Sequence, residues 1–195
     1  MTKSVRPNYI VGIGGSAGAL KAYKELLDAL PSNLGMAFVF VSHMFPEASS
    51  KLAEILSRHT KMPSSVATTA VEIWANHIYV IPPNADLHIE AKVFKVISPR
   101  IKRNTQIDVF FKSLAESEGK RAIGIILSGY HGDGTEGCKQ IKAKGGVTFA
   151  QNHSAEISQM STNAQAAGVI DFVMSVKHIA DELVRLGNNG LRAVR

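Results

Sequence analysis

Three side chains able to carry out acyl transfer each follow an apolar run. Ser16 lies in Gly12-Ile13-Gly14-Gly15-Ser16-Ala17-Gly18, His43 in Ser42-His43-Met44, and Asp133 in Ser128-Gly129-Tyr130-His131-Gly132-Asp133-Gly134. A hydroxyl becomes a useful nucleophile when a base takes its proton, and an imidazole is a better base when a carboxylate fixes its tautomer. A serine in a tight glycine loop at a helix start holds its hydroxyl outward, and the backbone N–H groups around Gly15 and Ala17 can face a developing oxyanion. The expected arrangement turns His43 Nε2 toward Ser16 and leaves Nδ1–H for Asp133. Each residue also has an ordinary role open to it: Ser16 as a helix N-cap, His43 as a loop histidine, Asp133 as a turn or cap residue. His131 competes as the base, but it stands two positions from the acid, whereas His43 lies across from Ser16 at the end of the second strand.

The first loop also fits the dinucleotide pattern G-x-G-x-x-A through Gly12, Gly14 and Ala17. Against that reading, a nicotinamide-cofactor domain places Asp or Glu at the end of its second strand to hold the ribose hydroxyls, and Ser42 and His43 occupy that place. No Lys-Ser or Lys-Thr closes the glycine run as a phosphate loop requires. Gly14-Gly15-Ser16-Ala17-Gly18 spells G-x-S-x-G, yet the chain order Ser, His, Asp differs from the Ser, Asp, His of the lipase-type fold.

These residues need a scaffold that brings three loops together. Residues 8–13 and 36–41 are continuous apolar runs of the kind buried on both faces of a parallel sheet. Between them Leu20, Tyr23, Leu26, Leu27 and Leu30 recur at steps of three and four, which predicts a helix from Ala19 to Leu30 with those residues inward. A second helix turns Leu52, Ile55 and Leu56 inward. Short β-prone pieces at 65–68, 77–81, 87–90 and 93–97 are close enough for hairpins, so an antiparallel insertion or edge is expected there. The α/β rhythm then returns: a helix carrying Ile107, Phe110, Phe111 and Leu114, a strand at 122–127, a helix to Lys144, a strand at 147–150, a short helix at 161–167, a strand at 169–174 and a closing helix at 176–186. The expected fold is a three-layer α/β/α domain with a doubly wound, mostly parallel sheet. Ligands of such sheets collect beyond the C-terminal strand ends, where all three loops would lie.

Composition narrows the function classes. The 195 residues are 45% hydrophobic and 19% charged, a globular and ordered balance. One cysteine, Cys138, allows no intramolecular disulfide and no four-ligand zinc pattern, so a reducing cytoplasmic setting without metal is expected. No apolar run approaches the roughly 20 residues of a membrane span, and the first residues lack a signal-peptide core. The net charge of +6 is scattered, apart from a stretch from Lys92 to Arg103 that holds five basic residues and no acid. A solvated loop or a site for an acidic protein fits that stretch better than nucleic acid does.

At these residues the chain resembles the catalytic domain of the chemotaxis receptor protein-glutamate methylesterases, the CheB type. The family's I-G-x-S-x-G, Q-H-M and T-G-M-G-x-D-G motifs are similar to residues 11–18, 42–44 and 128–134. Further likeness runs through Ile78-Tyr79-Val80-Ile81-Pro82-Pro83, Ile107-Asp108-Val109-Phe110-Phe111, Ala143-Lys144-Gly145-Gly146 and Ala150-Gln151-Asn152. Gly35-Met36-Ala37-Phe38 and Ser57-Arg58-His59-Thr60 look most like the domains of methylesterase–methyltransferase fusion proteins. The resemblance implies a cofactor-free serine hydrolase that removes methyl groups from receptor glutamates, releases methanol, and also deamidates receptor glutamines. It implies Ser16 as nucleophile, His43 as base and Asp133 as the orienting acid, with Gly15, Ala17, Tyr130, His131 and Met160 around them. Residues 1–195 would be one such domain without the family's receiver, whether a standalone paralogue, a constitutive esterase or an excised domain, with a separate regulatory chain as one expected route of control. The expected partner is an acidic chemoreceptor helix meeting Arg100, Lys102 and Arg103. The chain departs from the pattern at Ala17 for Thr, Tyr130 for Met, His131 for Gly, Gln106 for Pro, and in Gln159-Met160-Ser161-Thr162-Asn163-Ala164 for G-M-P-R-x-A. The contrasting expectation is a non-catalytic module that keeps the fold and binds a receptor or signalling partner.

Overall fold

Continuous apolar runs with no polar alternation become the central strands of one sheet. In the computed structural model, which describes residues 5–43 and 49–189, β1 (Tyr9–Gly15) and β2 (Met36–Ser42) are buried along their whole lengths. Between them α1 (Ala19–Ala29) provides the crossover. After α2 (Ser49–Ser57) come β3 (Ser64–Val66) and β4 (His77–Val80), then the hairpin strands β5 (Asp86–Glu90) and β6 (Val93–Ile97). The second half runs α3 (Gln106–Glu118), β7 (Ala122–Ile126), α4 (Thr135–Ala143), β8 (Val147–Gln151), α5 (Gln159–Ala166), β9 (Phe172–Met174) and α6 (Val176–Asn189).

The seven-stranded sheet has the order β3-β4-β2-β1-β7-β8-β9, and every pairing in it is parallel. From β1 the chain winds outward to β2, and from β7 it winds the opposite way to β8. The strand order therefore reverses at the β1–β7 seam, with β2 beside it. Side chains alternate across the sheet into two cores. Tyr9, Val11, Ile13, Phe38 and Phe40 pack under α1, α2 and α6, while Val39, Val41, Tyr79 and Ile126 pack under α3, α4, α5 and the hairpin.

Two expectations change. The pieces near residues 65 and 77 form no hairpin: β3 and β4 pair parallel, β3 as the edge of the main sheet and β4 between it and β2, and among the described strands β5 and β6 alone pair antiparallel. The chain between β3 and β4 is long enough to return β4 in the same direction, whereas Ala91 and Lys92, both at positive φ, make the tight two-residue turn of a hairpin. Leu20 is exposed instead of inward. The buried stripe of α1 centres on Ala19, Ala22, Tyr23 and Leu26, and Leu20 falls about a quarter turn from that centre.

Candidate active site

β1 delivers Ser16 one residue past its end, and the backbone immediately departs into a turn. Gly18 adopts φ 74° as the residue before α1, a left-handed conformation that glycine takes without strain, and a Cβ there would stand 2.7 Å from Ser128 Oγ. The loop after β7 is stitched to this turn. Ser16 N–H donates to the Ser128 carbonyl (2.9 Å), and the Ser128 hydroxyl donates to the Ala17 carbonyl (2.9 Å). Gly129 then lies against Ser16, since a Cβ on it would meet Met160 Cε at 2.8 Å and Ser16 Cβ at 3.2 Å. Met160 is fully buried beneath this junction, as a wall residue would be.

His43 follows β2, and the structure brings it to Asp133 across 90 residues of sequence: Nε2–H donates to Oδ2 at 2.5 Å. The imidazole is nine-tenths buried and the carboxylate wholly so. Asp133 also accepts from the backbone N–H groups of Ile107 (3.0 Å, Oδ2) and Asp108 (2.9 Å, Oδ1), so the anion sits on the positive end of α3. Such a carboxylate is an acceptor only, which makes Nε2 the protonated nitrogen and, in the neutral ring, puts the lone pair on Nδ1. This reverses the orientation expected from sequence: Nε2, not Nδ1, faces the acid, because the acid reaches the ring from the α3 side.

The Ser16 hydroxyl accepts from the Ala17 N–H at 2.6 Å. Among the described residues it has no hydrogen bond to His43, so a proton could pass between the two only after the Ser16 side chain turned. With Ser16 N–H committed to Ser128, an oxyanion would have to be met by other N–H groups of the turn, Ala17 first among them. Gly15 serves packing: a Cβ on it would stand 2.5 Å from Tyr23 Oη and 2.7 Å from Ala19 Cβ.

His131 and Tyr130 lie on the exposed side of the third loop. His131 donates its backbone N–H to Gln159 Oε1 (3.3 Å) and accepts at its carbonyl from Asn163 Nδ2 (2.9 Å). Its ring does not approach Asp133 within hydrogen-bond distance, so the histidine held by the acid is His43. Met44 lies outside the described residues. Arg100, Lys102 and Arg103 follow the β5–β6 hairpin and flank Ile101, which is 82% exposed. Among the described residues, no carboxylate stands within ion-pair distance of these three, whereas Lys95 is taken by Glu90 (2.8 Å).

Two residues escaped sequence reasoning. Asp108, in the first turn of α3, accepts from the Gly137 N–H (2.7 Å) and so caps α4, while Asp133, just before α4, caps α3. Burial and the neighbouring Asp133 carboxylate raise the Asp108 pKa, with the Gly137 N–H opposing them. The only sequence signal was an acid at the third position of a helix. Tyr23 looked like a core residue and is one, but its phenol oxygen reaches below Gly15 and lies near Ser42 outside hydrogen-bond geometry. Burial pushes that phenol well above its ordinary value.

The glycines of the dinucleotide pattern have a different explanation. Gly12 and Gly14 are inside β1, and their missing side chains make room for α3: a Cβ on either would stand 2.6 Å from Phe111 Cε1 or Ile107 Cγ2. They seat a helix on the sheet and form no phosphate cradle.

Comparison with known proteins agrees with this architecture. The CheB methylesterase family model matches residues 11–183. A putative protein-glutamate methylesterase/protein-glutamine glutaminase of Leptospira interrogans is 36% identical over 183 residues, 92% of this chain and 95% of the relative. The protein-glutamate methylesterase/protein-glutamine glutaminase of Photorhabdus laumondii is 29% identical over 195 residues, and there the chain spans 55% of the relative's length. The crystal structure of the Thermotoga maritima CheB methylesterase catalytic domain superposes with a TM-score of 0.86 at 24% identity, covering 91% of this chain and 98% of that one. The match over residues 11–183 places the chain in the CheB methylesterase family.

Proposed function

We propose that this chain hydrolyses methyl esters on glutamate side chains of a chemoreceptor, releasing methanol, and hydrolyses glutamine side-chain amides at the same centre. The observation that carries the reading is the buried His43–Asp133 pair at 2.5 Å beside a serine at the strand-order reversal. Ser16 attacks the ester carbonyl while Nδ1 of His43 accepts its proton, and the imidazolium is held by Asp133. That proton then goes to the leaving methoxide, giving methanol and a Ser16 acyl-enzyme. Water, deprotonated by His43, releases the glutamate carboxylate and regenerates the serine. Asp133 needs no proton of its own, because two backbone N–H groups and the imidazole already satisfy it.

The substrate reading draws on the relatives' names, and a cytoplasmic reaction fits it. The surface formed by Arg100, Lys102 and Arg103 around exposed Ile101 would meet an acidic, amphipathic receptor helix, with charges steering and the isoleucine anchoring. The deciding experiment is methanol release from methylated receptor. Ser16→Ala and His43→Ala are expected to lower kcat by about three or more powers of ten. Wild-type release no greater than that of Ser16→Ala, with receptor binding intact, would establish the non-catalytic module instead.

A further inference from the structure

The loop that carries the acid contains a residue in a conformation its side chain disfavours. His131 has φ 68°, in the left-handed region that glycine occupies readily and a residue bearing a Cβ seldom does. Its ring makes no hydrogen bond with another described residue, so the ring does not hold the backbone there. What holds it are two amide side chains one turn apart on α5. Gln159 accepts from the His131 N–H and Asn163 donates to the His131 carbonyl, gripping the same residue on both sides. The Asn163 amide lies close to Gly132 as well, within 3.5 Å of where a Cβ would be. Two residues onward is Asp133, whose carboxylate must meet His43, Ile107 N–H and Asp108 N–H together. Upstream the loop is pinned by Gly129, whose N–H donates to the Ile157 carbonyl and whose carbonyl accepts from the Met160 N–H, both at 2.9 Å. Between these anchors the backbone is held by α5 at His131 and by the Thr135 N–H, which donates to the Gly132 carbonyl (3.2 Å).

We propose that Gln159 and Asn163 are positioning residues of the active site: they clamp His131 in its left-handed conformation and thereby aim Asp133 at His43. The role rests on the ester-hydrolase reading in which Asp133 orients His43. Strained backbone conformations persist where surrounding structure over-determines them, and α5 supplies that constraint here. Without the clamp, His131 relaxes to negative φ, the peptide before Gly132 turns, and the carboxylate shifts relative to the imidazole. A displacement on the order of 1 Å at a catalytic group costs about a hundredfold in rate.

Glycine provides the test, because it holds φ 68° without a clamp. Gln159→Ala/Asn163→Ala should lower kcat about ten- to a hundredfold while KM changes less than about threefold. In the His131→Gly background the same two substitutions should cost less than about threefold, a coupling that a double-mutant cycle reads directly. Residues that merely stabilise α5 would cost the same in both backgrounds, and that result would overturn the proposal, as would wild-type kcat in the double variant. A second readout needs no turnover: the downfield NMR resonance of the His43 Nε2–H proton, which a short imidazole–carboxylate hydrogen bond produces. It should be lost or broadened in Gln159→Ala/Asn163→Ala and return on adding His131→Gly, with circular dichroism confirming that all variants are folded. A resonance unchanged by loss of the clamp would sink the proposal. If wild type and Ser16→Ala are equally inert toward ester, the hydrolase reading fails, while the resonance still decides whether the clamp aims the acid.

Discussion

At the scale of single residues, the site separates two histidines by what holds them. His43 is fixed by a buried carboxylate, and His131 only through its backbone. A serine-directed covalent probe should therefore label Ser16 in wild type and in His131→Ala, and label it at least about a hundredfold more slowly in His43→Ala. Equal labelling in both histidine variants would show that neither is the base. Asp108 gives a prediction of a different kind. Its pKa is raised in the folded protein above the ordinary 3.8, mainly by burial. The folded state thus binds this proton more tightly than the unfolded one, and the associated stability is present below 3.8 and lost as pH rises through the higher folded value. Asp108→Asn cannot be charged, so denaturant unfolding should show wild type losing stability relative to the variant across that acid window and no further change above it. A constant difference between the two from pH 3 to 7 would contradict this. Ser16, His43 and Asp133 were legible as a group because each follows a strong strand. The orientation of the imidazole was not, since it depends on which side of the ring α3 brings the acid from, and that is a matter of packing.

At the scale of elements, the sheet–helix contact of α3 is made by absence. Gly12, Gly14 and Gly124 remove side chains from β1 and β7 so that Phe111 and Ile107 can lie close to the strands. This brings the N-terminus of α3 over the switch point and beneath Asp133. Gly12→Ala should destabilise the protein by about 1–3 kcal/mol through overpacking, and Phe111→Leu in the same chain should recover part of that loss. Additive losses in thermal unfolding would mean that the glycine and the ring are not in competition. The letters G-x-G-x-x-A gave this region the look of a dinucleotide-binding loop, because glycine in sequence reports space without saying what fills it. The ordering of central strands and helices was plain from apolar runs and helical periodicity. The edge was not: β3 and β4 are short, and nothing local distinguishes a parallel neighbour from a hairpin partner.

At the scale of the whole molecule, charge is distributed unevenly with respect to the site. Arg100, Lys102 and Arg103 have no acidic partner among the described residues and stand just before α3, the same helix that receives Asp133, while several other basic side chains are answered by acids on their own helix or the adjacent strand. Reversing these three charges should lower kcat/KM on a receptor substrate by about ten- to a hundredfold at low salt, with the difference shrinking as ionic strength shortens the screening length toward about 8 Å. A small methyl ester should be hydrolysed equally by both proteins. If the receptor kinetics are insensitive to salt in wild type, the surface plays no part in encounter. In the described residues, no helix is long and apolar enough to cross a membrane.

The reciprocal caps of α3 and α4 have a consequence for how the molecule comes together. Asp133 holds N–H groups 25 and 26 positions earlier in the chain and an imidazole 90 positions earlier, while Asp108 holds an N–H 29 positions later. The bonds that tie α3, α4 and Asp133 together close within the second half of the chain, and the His43–Asp133 bond joins that half to the first. A molecule in which only the first sheet half has formed carries the serine and the histidine with no acid between them. Amide hydrogens of Ile107, Asp108 and Gly137 should accordingly exchange with solvent in step with one another, as one unit of the second half. The proposed triad is then complete only when the two halves of the sheet meet.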